Sequence, residues 1–315
     1  MLKINQILKK IPIRVISVII ILFSLFGLSY LVFSQRDILI NYDWKIDLTS
    51  LFIAVSLYVV SFLLAVFIWG KIIEISKPNL SYWTNLKHYS ITNLGKRIPG
   101  SVWYIPLRFQ HYKDQTTSKR SILIYSIIEV ISIYYASVIV SAIFAHSFYK
   151  NYPFLIFIIV IVSTVFPLTV YSKSVKKILH LIINVEINFN NFFPKHIIKF
   201  IVYYIILRIL GGLFLYFVIQ SIFFIDSDYI FYIIGCWSLS GLWNLFLIFS
   251  PTNIGLTEIG LTFLLSSMIP TPIAVVVSIM IRIAILFIEI IITIIILLVD
   301  NIKKFEKCEN KKKKD

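Results

Sequence analysis

Long runs of apolar residues, separated by shorter polar and basic segments, dominate the 315-residue chain. Each run is about 20 residues or longer, which is enough for a helix to cross ~30 Å of hydrocarbon at ~1.5 Å per residue. Because backbone groups in lipid find no water to bond, such runs are expected to be helices. The pattern predicts spans at 13–33, 49–73, 121–145, 153–171, 198–224, 228–249 and 271–299.

Two segments interrupt this pattern. Near 95–105 a glycine and a Pro-Gly pair, both typical of helix breaks, predict a re-entrant element, with an interfacial helix plus loop as the alternative. Near 250–258 a proline and a short apolar stretch predict a broken or half-length helix that its neighbours bury. Apolar residues on one helical face predict an amphipathic interfacial helix over 173–190.

Composition supports a membrane protein. Hydrophobic residues make up 59% of the chain and charged residues 14%, against roughly 25% charged residues in a soluble domain. The mean hydropathy is +0.89. These values exclude a soluble globular protein, a disordered protein and a disulfide scaffold. We therefore predict an all-α, polytopic helical bundle in which residues 1–315 form a single transmembrane domain.

Loops that are rich in basic residues alternate with loops that are poor in them, and this alternation predicts the orientation of the chain in the membrane. Segment 71–120 carries nine basic and two acidic side chains, whereas loop 35–47 carries two basic and three acidic ones. The lysine-rich tail, 300–315, is predicted to be cytoplasmic, as is the N-terminus, so the number of crossings must be even. The irregular segment 251–269 is therefore predicted to cross as well, giving about eight crossings of a plasma or inner cell membrane.

Five charged residues lie within the apolar runs, where a charge at the bilayer centre costs about 2.5–3.5 kcal/mol. They are Glu129, Arg208, Glu258, Arg282 and Glu289. Two roles fit such residues: structural ion pairs between helices, or the lining of a polar path. Because Arg282 and Glu289 are seven residues apart and share a helix face, a structural pair is favoured for them. A path-lining role is favoured for Glu258, which follows the second break.

The first break is also surrounded by cations. A helix that restarts after Pro99 and Gly100 would present unpaired N–H groups and about half a positive charge. Together with Lys96, Arg97 and Arg108, this helix end is predicted to bind a phosphate headgroup. The alternative is that these cations only follow the positive-inside rule and touch bulk anionic lipid.

No motif in the sequence indicates catalysis. The five histidines are scattered, and neither a metal-ligand spacing nor a phosphate-binding loop nor a nucleophile elbow occurs. The formal charge of +15 is spread over loops between apolar runs and does not indicate nucleic acid as a partner. We therefore predict that the protein is not an enzyme and that it uses no metal or other cofactor.

Two stretches resemble the signatures of a known family. Residues 93–108 read NLGKRIPGSVWYIPLR and are followed by Glu129, while residues 250–258 read SPTNIGLTE and are followed by Arg282. Both resemble the lysylphosphatidylglycerol synthase transmembrane region, also called the flippase-like domain. The residues that match motif positions are Gly95, Pro99, Gly100, Arg108, Glu129, Pro251, Gly255, Glu258 and Arg282. The sequence departs from the family pattern at Val130, where an arginine often follows the glutamate, and at 252–253, where glycines are common.

The resemblance implies a protein that moves or handles the headgroup of an anionic phospholipid, an aminoacyl-lipid or a polyprenyl-phosphate-linked sugar. In this arrangement the first break holds the phosphate, and Glu129, Arg208, Glu258 and Arg282 line a polar path. The family's soluble aminoacyl-transferase domain does not occur in the sequence, so lysyl transfer is not expected. Because stand-alone members of that family are often encoded near envelope glycosyltransferases, the alternative is a non-transport subunit that anchors or assists such an enzyme or a lipid-modifying system.

Overall fold

The structure is a computed structural model, and it describes residues 30, 33, 36–75, 80–96, 104–112, 119–145, 194–246 and 256–312. Several sequence predictions lie outside these residues: nearly all of the span 13–33, the span 153–171, the interfacial helix 173–190, and the site residues Arg97, Pro99, Gly100 and Gly255.

The described residues are helical and contain no β-strand, which confirms the all-α prediction. The α-helices are α1 (Arg36–Asn41), α2 (Leu48–Ile73), α3 (Tyr82–Leu94), α4 (Tyr104–Tyr112), α5 (Lys119–Phe144), α6 (Pro194–Gln220), α7 (Ile230–Phe246), α8 (Leu256–Leu265) and α9 (Thr271–Lys312). A 3-10 helix, Ser227–Tyr229, precedes α7.

Four of the described helices are long and apolar enough to cross a membrane, namely α2, α5, α6 and α9. They correspond to four of the predicted spans, and the ends of α2, α5 and α6 agree with the prediction to within about four residues. Helix α9 begins at the predicted residue but continues to Lys312, beyond the predicted end at 299. Large apolar side chains on their outward faces are exposed, among them Phe52 on α2 and Phe287 on α9, as expected where a helix contacts lipid. Helices α7 and α8 are shorter, at 17 and 10 residues.

The start of α2 and the end of α6 meet at one end of the bundle, which we call the Asp47 end. The Asp47 carboxylate caps α2 by accepting hydrogen bonds from the backbone N–H groups of Thr49 and Ser50, at 3.0 and 3.2 Å. Hydrogen bonds from the Ser50 hydroxyl and then from the Thr49 backbone hold the pKa of Asp47 below its usual value. The Asp47 backbone N–H donates to the Ser221 carbonyl at 2.8 Å and ties the two helices together.

Helices α5, α6 and α7 pack closely because small residues face one another along their contacts. A Cβ atom on Gly212 of α6 would lie 2.5 Å from Ile234 Cα of α7, and one on Gly235 would lie 2.6 Å from the Ala145 nitrogen after α5. Ser137 and Ser141 on α5 are fully buried. Small residues at these positions allow the close approach of the three helices.

Helices α3 and α4 form an antiparallel hairpin that enters the bundle beside α9. Lys87 Nζ lies 2.5 Å from Asp300 Oδ2 at the opposite end of the bundle, which we call the Lys87 end. Further along α3, Asn93 Nδ2 donates to Glu289 Oε1 at 2.9 Å, so α3 runs inward along α9. Helix α4 returns, since the Tyr112 hydroxyl donates to Asn85 Oδ1 at 2.8 Å. Residues 97–103, which contain the predicted break, lie outside the described residues, so the re-entrant element stays a prediction.

Helix α8 is a half-length element that approaches from the Asp47 end. The Thr262 hydroxyl donates to Ser278 Oγ of α9 at 3.1 Å, and Ser267, just past α8, is hydrogen-bonded to Tyr232 near the start of α7 at 2.9 Å. Its 10 residues span about 15 Å, which agrees with the half-length helix predicted from the sequence. The hairpin and α8 thus end inside the bundle, and both inner ends meet charged side chains.

Candidate functional site

The guanidinium of Arg108 on α4 binds the carboxylate of Glu129 on α5 with two hydrogen bonds. Arg108 Nη1 donates to Glu129 Oε2 at 2.5 Å, and Nη2 donates to Oε1 at 3.2 Å. The two side chains are only 1% and 3% exposed. Such a bidentate arrangement is the strongest form of an arginine–carboxylate pair, and inside a bundle it offsets the desolvation of both charges.

Aromatic rings enclose this pair. Arg108 Cζ lies 3.5 Å from the centroid of the Trp69 ring on α2, and 4.9 Å from that of Tyr104. Burial alone would lower the pKa of Arg108, but the adjacent Glu129 carboxylate outweighs it and raises that pKa above the usual value. Burial, with Glu129 as a smaller cause, raises the pKa of Tyr104 to about 12. The rings are therefore neutral, and Arg108 is held as a cation.

Lys96, just after α3, is the outer member of the cluster. Its Nζ lies 3.4 Å from Glu129 Oε1 and 5.0 Å from the centroid of the Tyr104 ring. Its side chain is 30% exposed, in contrast to the buried Arg108. The three side chains together carry two positive charges and one negative charge, so the cluster has a net charge of about +1. We call Lys96, Arg108 and Glu129 the hairpin-tip cluster.

A second charged group lies where α8 meets α9. Arg282 Nη1 donates to Glu258 Oε1 at 2.8 Å and to the Thr257 hydroxyl at 2.9 Å. That hydroxyl in turn donates to Glu258 Oε2 at 2.9 Å. The Arg282 side chain is 29% exposed, whereas that of Glu258 is 6% exposed. The carboxylate is therefore held in place at the inner end of α8, while the cation partly faces outward.

Glu289 has partners other than the one that the sequence predicts. Its Oε1 accepts hydrogen bonds from the Tyr58 hydroxyl at 2.6 Å and from Asn93 Nδ2 at 2.9 Å. The predicted pair between Arg282 and Glu289 is wrong, because Arg282 bonds to Glu258 instead. Seven residues correspond to a rise of about 10 Å along one helix, which is too far for a direct contact between side chains that both point sideways.

Arg208 lies apart from both clusters, at the middle of α6. Its guanidinium rests against Gly241 of α7, where a Cβ atom would come within 2.6 Å of Arg208 Cζ. It belongs to no ion pair in the part of the chain that the structure describes.

Comparisons with models of protein families, with curated proteins and with solved structures found no match. The geometry of the charged residues is therefore the basis for assigning a function.

Three predicted site residues, Lys96, Arg108 and Glu129, come together in one cluster. Glu258 and Arg282 form a separate pair. The sequence pattern does not indicate the aromatic rings around Arg108, which belong to Trp69, Tyr89 and Tyr104. It also does not indicate Tyr58 and Asn93, which donate hydrogen bonds to Glu289. The concentration of aromatic residues around the first break was a partial signal for Tyr89 and Tyr104.

Proposed function

We propose that the protein binds the phosphate of a lipid headgroup and moves the headgroup across a cell membrane, as a flippase-like protein. The observation that supports this proposal is the hairpin-tip cluster, which carries a net positive charge among aromatic rings. A charge within a membrane is costly unless it is paired or serves a substrate. A headgroup phosphate carries a negative charge of the kind that a cluster with a net positive charge attracts.

Within the proposed site, Arg108 and Lys96 have different roles. Arg108 is fully buried and both of its terminal nitrogens bind Glu129, so it positions the carboxylate and does not reach the headgroup. Lys96 is partly exposed and its contact with Glu129 is longer, at 3.4 Å. Its ammonium can therefore exchange the carboxylate oxygen for a phosphate oxygen. The carboxylate stays paired with Arg108 during this exchange.

The proposed topology has about eight crossings, with the Lys87 end and both termini in the cytoplasm. The directions of the four membrane-length helices support it. Helices α2 and α9 end, and α5 and α6 begin, at the Lys87 end, and the sequence next to these helix ends is rich in basic residues. In this orientation the hairpin enters from the cytoplasmic side and α8 from the outer side. Half-length elements of this kind surround mid-membrane substrate sites in many transporters.

The proposed substrate class is a lipid with a phosphate in its headgroup: an anionic phospholipid, an aminoacyl-lipid or a polyprenyl-phosphate-linked sugar. The headgroup would pass the hairpin-tip cluster and the pair of Glu258 and Arg282, while the acyl or prenyl tails stay in lipid. No covalent step is proposed, because binding and release of a phosphate need only exchangeable cations and a wet surface.

A reconstitution experiment tests the proposal. The purified full chain is placed in vesicles that contain a fluorescent phosphatidylglycerol, and bleaching by an impermeant reductant reports movement between leaflets. We expect the Lys96→Met variant to transfer this lipid at least about tenfold more slowly, as the loss of a charge-assisted contact implies. Lys71→Met is the matched control, because Lys71 pairs with Glu74 at a partly exposed position.

One combination of results would exclude the proposal. If the parent chain moves no lipid and the Lys96→Met variant restores a deletion strain fully, the headgroup function is excluded. The non-transport role beside an envelope glycosyltransferase would then be preferred. Leaflet-resolved lipid analysis of the deletion strain identifies the lipid when the proposal holds.

A further inference from the structure

Arg208 belongs neither to the hairpin-tip cluster nor to the pair of Glu258 and Arg282. It is the twelfth of the 24 residues in the membrane-length segment Ile197–Gln220, so it lies at mid-depth. Its side chain is partly buried. A charge at this depth is the most expensive that a bundle can contain, and such residues generally have a partner or a functional role.

The carboxylates of the apolar runs are engaged elsewhere. Glu129 is held by Arg108 and Lys96, and Glu258 is held by Arg282. Glu289 accepts hydrogen bonds from Tyr58 and Asn93. Among the residues that the structure describes, no carboxylate pairs with Arg208, and its guanidinium makes no hydrogen bond there. Within the described residues, pairing with a carboxylate or a hydrogen-bond donor therefore accounts for the other charges of the apolar runs and not for that of Arg208.

The guanidinium of Arg208 lies at the contact between α6 and α7. On one side it lies against the bare Cα of Gly241, where any larger residue would displace it. The same contact includes Gly211, which faces the Trp237 indole, and Gly212, which faces Ile234. Glycines at a helix crossing bring the backbones together, and at Gly241 the space that this leaves is occupied by a cation.

We propose that Arg208 is a second anion site at mid-depth, which binds the phosphate of a lipid headgroup after it leaves Lys96. This inference rests on the proposed function, since it identifies a second position for the same substrate. A guanidinium held flat presents paired N–H groups that fit two oxygens of a phosphate, which a lysine cannot do. Because Gly241 covers one side of the group, the anion would approach from another side.

Thermal unfolding of the purified full chain tests the site. It is measured in detergent alone, with phosphatidylglycerol, and with inorganic phosphate. In detergent alone Arg208→Met should be at least as stable as the parent, because the change removes a charge for which the described residues provide no carboxylate partner. Its affinity for phosphatidylglycerol, read from the concentration that raises the melting temperature, should fall about tenfold. Arg208→Lys should bind with intermediate affinity.

Gly241→Ala gives an independent variant that retains the charge. The added methyl group would clash with the guanidinium, so we expect phosphatidylglycerol binding to weaken although Arg208 is still present. If only phosphatidylglycerol raises the melting temperature in a way that depends on Arg208, the ligand of the site is a lipid headgroup. If inorganic phosphate raises the melting temperature equally, the ligand is a free anion. Arg208→Met that is clearly destabilised in detergent alone, or that binds both ligands like the parent, would overturn the inference.

The Lys96→Met variant separates this inference from the proposed function. If Lys96→Met transfers lipid normally while Arg208→Met and Gly241→Ala lose phosphatidylglycerol binding, the hairpin-tip proposal fails and the Arg208 site stands. If Lys96→Met stops transfer while both α6–α7 variants bind and transfer like the parent, the proposed function stands and the Arg208 site is excluded.

Discussion

Arg108 holds Glu129 by both carboxylate oxygens across a separation of 21 positions in the chain. Glu129→Gln removes the negative charge and leaves a buried guanidinium without its counter-ion. Breaking a buried pair in this way costs about 3–5 kcal/mol. We therefore expect a large loss of stability in chemical or thermal unfolding of the purified protein in detergent.

The matched control for this change is Glu74→Gln, which breaks the partly exposed pair with Lys71. A pair of that kind contributes about 0–1 kcal/mol. If Glu129→Gln costs no more than Glu74→Gln, the pair of Arg108 and Glu129 is not a stabilising element. Replacing Arg108 and Glu129 together by apolar residues should recover much of the loss, because no unpaired charge then remains.

Glu258→Gln should destabilise the protein less than Glu129→Gln does. Its partner Arg282 is 29% exposed, so solvent or lipid headgroups can compensate the charge that is left. Under the proposed function, headgroup transfer should nevertheless fail, because the side chain stands at the inner end of α8. Parallel unfolding and leaflet-transfer assays measure the two quantities. A stable Glu258→Gln protein with full transfer would exclude a path-lining role for this residue.

Tyr58→Phe and Asn93→Leu should each cost about 1–3 kcal/mol, because each removes a donor from the buried Glu289 carboxylate. In a double-mutant cycle the two changes should not be additive, since both donors bind the same oxygen. Tyr229→Phe at an exposed position is the control, and it should have almost no effect. Equal costs for Tyr58→Phe and Tyr229→Phe would contradict the bonding of Glu289.

The proposed orientation can be tested with single cysteines in a chain from which Cys236 and Cys308 have been removed. Cysteines at Asp43 and Ser227, near the Asp47 end, should react with an impermeant thiol reagent applied to intact cells. A cysteine at Asn301, near the Lys87 end, should react only after the cells are opened. External labelling at Asn301 would reverse the orientation or remove one crossing.

The sequence predicted the helices better than it predicted their partners. The start and end of α2 and the half-length α8 follow from local hydropathy and from prolines, and these are properties of neighbouring residues. Glycine and proline also predicted a break near 95–105, and α3 and α4 are the helices that flank these residues. In each case the residues that determine the helix or the break lie within it or directly next to it in the sequence.

The partners of the charged residues depend on contacts between distant parts of the chain. Spacing on α9 placed Glu289 on the same face as Arg282, but the nearest acceptor for Arg282 comes from α8. Trp69 reads as one more apolar residue of a spanning helix, and only the packing of α4 against α2 shows that it covers Arg108. Such contacts can be identified only from the tertiary structure, because the hydropathy pattern does not show which helices are neighbours.

The contacts between the hairpin and α9 also have a consequence for biosynthesis. Lys87 and Asn93 bond to residues that follow them by 213 and 196 positions. During translation α3 is therefore made long before the helix that satisfies its polar side chains. The contacts between the hairpin and α9 cannot form until α9 has entered the membrane, so the bundle is completed only after the last helix has been made. A ribosome stalled before α9 should expose the hairpin to protease, and release of the full chain should protect it.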